Sequence, residues 1–356
     1  MKRNSYLLFL LAAAALACGK EEAALPPDKP EAAQALSAAT GTVNIGLGSP
    51  FLPTRMASPS PGVESTCRRW AFWIFDPSGD SVAYGTGETG ESVRRTLLVG
   101  DYTVVAVANY PESLVPENVT EKAGLESRVI QLSDNAAGAM VMYGEAPLEM
   151  EQDRTVSCSV DVRRLVAKVG VKKVSVAFEN PYLAAKTTVL EAIYLTNLYR
   201  TSRLGRDYTG AELLSGEALW YNVMGWRAPE DAVPEMDALV GDTAIQATLS
   251  PEMPHTTAHY FYACPNATPE GDDTHEASWS KRSTRLVLQV AVGGKTYYYQ
   301  IQVPAMGRNR VYVADEVILK KLGSMDPEQD IPGALEVVFS AVGDDWDHDV
   351  NAAENS

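Results

Sequence analysis

The stretch "RRWAFWIFDPSGDSVAYG", from Arg68 to Gly85, has the pattern of a β-hairpin. Residues 68–76 alternate and are rich in aromatic side chains, which favours an extended strand over a helix. The sequence Pro-Ser-Gly-Asp at 77–80 is typical of a turn, and the next five residues resume the strand pattern. The hairpin predicts that the fold is built from antiparallel strands.

Strand-like segments continue to the end of the chain. They lie at 94–110 (two strands, broken at Gly100-Asp101), 136–150, 154–162, 164–178, 187–199, 258–266, 284–294, 295–304, 308–323 and 333–342. Only residues 111–130 have a helical composition, and Gly293-Gly294 predicts a two-residue hairpin turn. The sequence therefore predicts an all-β protein.

The chain is too long for one hydrophobic core, so we expect two domains. The 339 residues that follow residues 1–17 exceed the size at which single cores stop growing. The strand pattern restarts near residue 160, after which residues 200–255 are rich in loops. We predict one β-sandwich over residues 41–158 and a second over residues 159–356.

Upstream of the hairpin, a strand-like segment runs directly into a tract that cannot form a ladder. The segment Thr42–Leu47 places apolar residues at alternate positions. Four prolines follow it, Pro50, Pro53, Pro59 and Pro61, and the basic residue Arg55 lies among them. A tract that cannot pair with a sheet is accessible to proteases.

The first residues have the features of a bacterial export signal. A charged start precedes an apolar run over residues 6–17, which is too short to span a bilayer. The sequence Leu16-Ala17-Cys18-Gly19 resembles a lipobox, so we expect residues 1–17 to be a lipoprotein signal peptide. Cys18 would then carry the lipid anchor. Residues 18–40, rich in Ala, Pro and Glu, are predicted to be a flexible tether, with a short Ala-rich helix as the alternative.

The net charge and the number of cysteines limit which ligands and which disulfide bonds we expect. The formal net charge of −16 argues against nucleic acid as a ligand. Beyond Cys18 the chain has three cysteines, Cys67, Cys158 and Cys264, which allow one disulfide at most. Cys67 with Cys158 is the pairing that we consider.

The sequence contains no convincing catalytic or metal motif. Gly85 to Gly90 satisfies the dinucleotide fingerprint, but a strand and not a helix follows it, so we expect a hairpin loop. His255 and His259 lack the glutamate of a zinc protease and are expected to be solvated loop histidines. Residues 344–349, "DDWDHD", lack the glycine and spacing of a calcium loop. We predict a non-enzyme with no cofactor and no metal.

Several stretches together resemble the FimA-type fimbrillins, the subunits of type V pili. They are "LLVGDYTVVAVANYP" (97–111), "VDVRRLVAKVGVKKVSVAF" (160–178), "IYLTNL" (193–198), "FYACPN" (261–266), "GKTYYYQIQVP" (294–304) and "GRNRVYVADEVILKKLGSMDPE" (307–328). Their order along the chain makes the resemblance specific, and the lipobox at Cys18 fits it.

This resemblance implies a fold and an assembly mechanism. The fold would be two transthyretin-like β-sandwiches, exported as an outer-membrane lipoprotein. An arginine-specific protease would cut after Arg55, and residues 41–55, the first strand with its loop, would leave together with the lipid. A strand from another pilin subunit would fill the groove, which produces a cell-surface fimbrium for adhesion.

The resemblance also assigns the donor strand to the C-terminal segment, from Ala334 to about Val350. Its expected groove-filling residues are Ala334, Leu335, Val337, Phe339, Val342 and Trp346. The polar ending "GDDWDHDVNAAENS" departs from the apolar ending of the family.

Two alternatives stay open. The chain could be an anchor or accessory subunit that keeps its lipid and is not cut. It could also be a surface glycan-binding lipoprotein, with Trp220, Tyr221 and Trp226 stacking on sugars.

Overall fold

The many β-branched and aromatic residues favour extended strands, and strands account for most of the secondary structure. The computed structural model describes residues 39–48, 64, 66–88, 90–135, 138–208, 220–221, 241–267, 283–327 and 329–346. Cys18 and Arg55 lie outside these residues. In the part of the chain that the structure describes, no helix is long and apolar enough to cross a membrane.

The described residues of the N-terminal half form nine strands. They are β1 (Thr40–Leu47), β2 (Arg69–Phe75), β3 (Ser81–Glu88), β4 (Val93–Leu98), β5 (Gly100–Ala108), β6 (Val129–Gln131), β7 (Met142–Met150), β8 (Thr155–Val160) and β9 (Arg163–Arg164). The segment expected to be helical forms one 3₁₀ turn, Pro116–Asn118, and the short helix α1, Lys122–Glu126. A second 3₁₀ turn covers Leu132–Asp134.

The C-terminal half contributes the remaining strands of the described chain. They are β10 (Ala167–Val171), β11 (Val174–Val176), β12 (Thr188–Thr196), β13 (Leu198–Tyr199), β14 (Thr201–Arg203), β15 (Trp220–Tyr221), β16 (Gly241–Asp242), β17 (Ala247–Leu249), β18 (His259–Ala263), β19 (Arg285–Val292), β20 (Lys295–Gln302), β21 (Arg310–Leu319) and β22 (Leu335–Asp345). Helix α2 covers Pro181–Ala184. The prediction of an all-β protein is confirmed.

Two sheets enclose the main core of the N-terminal half. One has the strand order β4-β1-β8 and the other the order β3-β2-β5-β7-β9. Val43 and Ile45 from β1 meet Trp70, Phe72 and Ile74 from β2 in the space between the sheets. These apolar faces build a β-sandwich because each sheet hides one face against the other.

Strand β2 is buried on both faces, which the alternating reading of residues 68–76 did not anticipate. The other face of β2 presents Ala71, Trp73 and Phe75 to a second cluster. The segment with the short helix covers that cluster through Leu125, and the Trp73 indole N–H donates to the Pro116 carbonyl at 2.9 Å. The predicted hairpin between β2 and β3 is confirmed.

A second pair of sheets encloses the core of the C-terminal half. One has the order β11-β21-β10-β18, with β22 also paired to β21. The other has the order β16-β12-β19-β20, with β17 also paired to β12. Gly293 and Gly294 join β19 to β20 at φ values of 60° and 77°, so the predicted two-residue hairpin is confirmed.

The chain passes from the first group of sheets to the second between Arg164 and Ala167. Strand β9 pairs with β7, whereas β10 pairs with β18 and β21. The predicted single strand over 164–178 is therefore divided into β9, β10 and β11. Among the described strands, the ladder between β14 and β6 links the two halves. The domain boundaries at residues 158 and 159 stay a prediction.

Candidate functional site

Strand β1 lies between two other strands and is paired on both sides from Thr42 to Ile45. It pairs antiparallel with β4 through residues Thr40 to Ile45, and parallel with β8 through residues Thr42 to Leu47. Each ladder covers six residue pairs. Because β1 satisfies the inner edges of both neighbours, its removal would leave two unpaired edges facing each other.

Alternate side chains of β1 enter the core. Val43 and Ile45 are fully buried, and Leu47 packs against the same cluster from a partly exposed position. Each fully buried aliphatic side chain contributes about 1.5–3 kcal/mol. The predicted strand Thr42–Leu47 therefore has the expected inward face, and it starts two residues earlier than predicted.

Two glycines allow the backbone of β1 to approach its surroundings closely at its ends. A Cβ atom on Gly41 would lie 2.4 Å from the Glu151 carbonyl oxygen. A Cβ atom on Gly48 would come closer than normal contact to the Asp161 carboxylate. By contrast, a Cβ atom on Gly46 would have 3.9 Å of space to its nearest neighbour, Ser92. We call the space filled by β1 between β4 and β8 the β1 slot.

The C-terminal segment pairs with the edge of its own half of the molecule. Strand β22 runs antiparallel to β21 and extends to Asp345, beyond the predicted end at residue 342. Ala334 and Trp346, at its two ends, are buried, and Leu335 and Val337 pack against the core from partly exposed positions.

The remaining predicted groove-filling residues of β22 face solvent. Phe339 is 41% exposed and Val342 is 47% exposed. Register shifts at Ala314 and beside Tyr312 in β21 change the phase of β22, so the regular alternation expected from the sequence does not hold. Val338 and Phe339 consequently both lie on the exposed side, and Ala341 is buried. Whether this segment donates a strand to another subunit stays a prediction.

A buried cluster of charged and aromatic side chains joins distant parts of the chain. The Glu64 carboxylate accepts hydrogen bonds from Lys168 Nζ at 2.9 Å and from the Tyr262 hydroxyl at 2.5 Å. The side chains of Glu64 and Lys168 are each 7% exposed. Together with Arg164 and Trp346, these residues form what we call the junction cluster.

Trp346 fixes the end of β22 in the junction cluster. Its ring lies nearly parallel to the Tyr262 ring, with centroids 5.9 Å apart. The Arg164 guanidinium lies 4.6 Å from the Trp346 ring centroid, a cation–π distance. Arg164 belongs to β9 and also donates to the Asn309 side chain at 3.1 Å. The C-terminal strand is thereby attached to both halves of the molecule.

Burial controls the protonation of the junction cluster. Desolvation lowers the pKa of Lys168, and the adjacent Glu64 carboxylate acts in the opposite direction. Desolvation, followed by the Glu64 charge, raises the pKa of Tyr262. The phenol therefore stays protonated at neutral pH and donates its hydrogen bond to Glu64.

Comparison with known proteins was informative only at the level of structure. No protein-family model matches the sequence, and the search of curated proteins found no match. A proposed cell adhesion protein of Bacteroides eggerthii is 16% identical, with a TM-score of 0.61 over 86% of this chain and 96% of its own. A fimbrillin (FimA) of Porphyromonas gingivalis is 14% identical, with a TM-score of 0.56 over 86% of this chain and 99% of its own.

The chain has the fimbrillin fold. A second proposed cell adhesion protein, from Parabacteroides distasonis, is 12% identical and has a TM-score of 0.58 over 87% of this chain and 99% of its own. The expectation of a fimbrillin-type β-sandwich fold is therefore confirmed.

Within the described part of the chain, the cysteines, aromatic residues and glycines singled out from the sequence do not gather into a site on this fimbrillin fold. Among the described residues, Cys67, Cys158 and Cys264 are buried and form no disulfide, so the Cys67–Cys158 pairing is wrong. Trp220 and Tyr221 form β15, which pairs with β13, and Trp226 lies outside the described residues. Gly85 and Gly87 belong to β3, so the motif that resembles a nucleotide fingerprint is largely strand and not a loop.

Sequence reasoning missed Glu64 and Lys168. They are 104 residues apart, and Glu64 lies in a segment where a charged residue is unremarkable. The one available signal was Lys168 among the apolar residues of the β10 segment, which interrupts an otherwise apolar strand.

Proposed function

We propose that this protein is a structural subunit of a cell-surface fimbria and acts in adhesion, not catalysis. Its finer mechanism would be strand exchange: β1 leaves, and a strand from another subunit enters the β1 slot. The observation that carries this proposal is the position of β1 between β4 and β8, with Val43 and Ile45 buried in the core. The fimbrillin fold supports the same assignment.

The β1 slot suits an exchanged strand on energetic grounds. A replacement strand would form hydrogen bonds with the unpaired edges of β4 and β8, and each bond would contribute about 0.5–1.5 kcal/mol. Its alternate side chains would refill the positions of Val43 and Ile45. While β1 remains attached to the chain, its high local concentration keeps other strands out.

Proteolytic maturation would remove β1, which competes with a strand from another subunit for the β1 slot. In this proposal the protein is exported to the outer membrane as a lipoprotein on Cys18, and an arginine-specific protease cuts after Arg55. The proline-rich sequence around Arg55 supports this site. Arg94 and Arg95 lie within β4 and are paired with β1, which makes them poorer substrates. Residues 18–55 would then leave with the lipid.

The donor in this proposal is the C-terminal segment of another copy or of a related pilin. Strand β22 is paired on one side to β21 and to no second strand among the described residues. Its exposed apolar residues, Val338, Phe339 and Val342, make it suited to further strand contact. Releasing β22 would require Trp346 to leave the junction cluster.

The test is N-terminal sequencing of surface fibres combined with an Arg55→Ala variant. We expect mature fibres to begin at Met56, and Arg55→Ala to give a folded, lipidated protein that does not polymerise. Arg68→Ala, which changes an exposed arginine close to β2, is the matched control and should assemble normally.

Two results would contradict this mechanism. Fibres whose subunits retain residues 18–55 would show that cleavage after Arg55 is not the activating step. A surface protein that retains these residues and forms no fibres would instead support the uncut anchor or accessory role.

A further inference from the structure

Two histidine side chains meet at one edge of the C-terminal sandwich. The Nε2 atoms of His255 and His259 are 2.8 Å apart. Both backbones are held in ladders: His259 pairs with Val171 in β10, and His255 exchanges two backbone hydrogen bonds of 2.9 Å with Val174. The pair is therefore positioned by the sheet, and the expectation of solvated loop histidines is wrong.

A carboxylate from the opposite sheet holds the ring of His259. Asp242, at the end of β16, places Oδ2 3.4 Å from His259 Nδ1. An Nδ1–H that donates to Asp242 leaves the lone pair of His259 Nε2 directed at His255. This arrangement is the one that carboxylates adopt behind metal-bound histidines, where they fix the tautomer and the ring orientation.

The two rings are joined by one hydrogen bond between their Nε2 atoms. Their centroids are 5.1 Å apart and their planes differ by 24°, so the rings meet nearly end to end through Nε2. One Nε2–H donates to the other nitrogen. Burial lowers the pKa of both imidazoles, against the opposing effect of Asp242.

A divalent transition metal could lie between the two Nε2 atoms once the His255 proton has moved from Nε2 to Nδ1. Imidazole nitrogens bind Zn²⁺, Ni²⁺ and Cu²⁺, with Zn–N distances of about 2.0–2.1 Å. Two such bonds at a tetrahedral angle separate the nitrogens by about 3.3 Å, which is about 0.5 Å more than the present separation. Small rotations of the two side chains supply that difference.

We propose that His255 and His259 form a two-imidazole site for a divalent transition metal, with Asp242 positioning the His259 ring. Water completes the coordination, because no group of three or more His, Cys, Asp or Glu side chains gathers within the described residues. The net charge of −16 favours the approach of cations. A bound metal would join His255 to His259, whose ring already contacts Asp242 of the opposite sheet.

Calorimetric titration of Ni²⁺ into the metal-free full chain tests this site. We expect one binding event that is abolished by His255→Gln and by His259→Gln. Asp242→Asn should weaken binding by about 10–100-fold, because the backing carboxylate is lost. Ni²⁺ should also raise the Tm of the wild-type protein and leave the two histidine variants unchanged.

The chain offers a matched control for the remaining histidines, His275 and His348. The double variant His275→Gln/His348→Gln should bind Ni²⁺ as the wild type does. Loss of binding in this control, with binding kept in His255→Gln, would overturn the proposal, as would a wild-type protein that binds no Ni²⁺. Equal Tm values of all variants in chelator separate loss of the ligand from loss of the fold.

Discussion

At the scale of single residues, the fit of β1 between its neighbours depends on the space that surrounds each of its glycines. The Glu151 backbone leaves no room for a side chain at Gly41, whereas Gly46 of the same strand has room for one. Any strand that takes the place of β1 therefore needs a very small residue opposite Glu151. This requirement is stricter than the apolar alternation that identified the strand from its sequence.

The two glycines give a prediction with an internal control. Gly41→Ala should destabilise the protein by about 1–3 kcal/mol, because the methyl group collides with main-chain atoms that cannot easily move. Gly46→Ala should be neutral or stabilise by up to about 1 kcal/mol, because it only restricts the unfolded chain. Urea unfolding of the two variants measures the difference, and equal midpoints would contradict the close approach at Gly41.

At the scale of elements, β1 also covers a thiol. Cys158 in β8 is in register with Ile45 of β1 and belongs to the core that β1 closes. Burial raises the pKa of the Cys158 thiol, which further reduces its reactivity. Cys264 lies in the other core, where burial raises its pKa to about 12.

Thiol labelling can therefore report the departure of β1. In the uncut protein we expect Cys158 and Cys264 to react slowly with a maleimide at pH 7.5. After cleavage at Arg55 and release of β1, Cys158 should become reactive and Cys264 should stay protected. Mass spectrometry of labelled peptides identifies the sites. Equal labelling of Cys158 before and after release would show that β1 does not cover this core.

At this scale the sequence predicted elements correctly where the pattern depends on neighbouring residues, and it failed where the pattern depends on a distant partner strand or covering segment. The alternation in Thr42–Leu47 and the turn at Gly293-Gly294 depend on neighbouring residues, and both correspond to observed elements. The alternation in β22 failed because bulges against β21 shift its phase, and a bulge is set by the partner strand. The burial of both faces of β2 depends on a covering segment about 40 residues further along the chain, which strand periodicity does not show.

At the scale of the whole molecule, the junction cluster connects residues that the sequence keeps far apart. Glu64 and Tyr262 are 198 residues apart, so no motif could have placed them together. The cluster ties the segment before β2, the passage between the two halves and the end of β22 to one another. Its consequence is that the C-terminal strand cannot leave without disturbing the contact between the halves.

The stability of this connection can be measured by removing one charge. Glu64→Gln removes the charge of one partner from the buried Glu64–Lys168 ion pair, and we expect a loss of about 3–5 kcal/mol in the free energy of unfolding. Glu336→Gln removes one partner of the exposed pair Lys320–Glu336, whose nitrogen and oxygen are 3.2 Å apart, and should change stability by no more than about 1 kcal/mol. Denaturant titration of both variants tests this, and similar losses would argue against a structural role for the cluster.

The placement of β1 between two ladders also determines how a fibre would respond to tension. Ladder hydrogen bonds lie across the strand direction, so a lengthwise pull on a strand in the β1 slot loads both sets of six residue pairs at the same time. Peeling from one end would instead break them in succession. A fibre joined through this slot along its axis would therefore bear force in shear, and its subunit joints would resist the drag of flowing liquid on an attached cell.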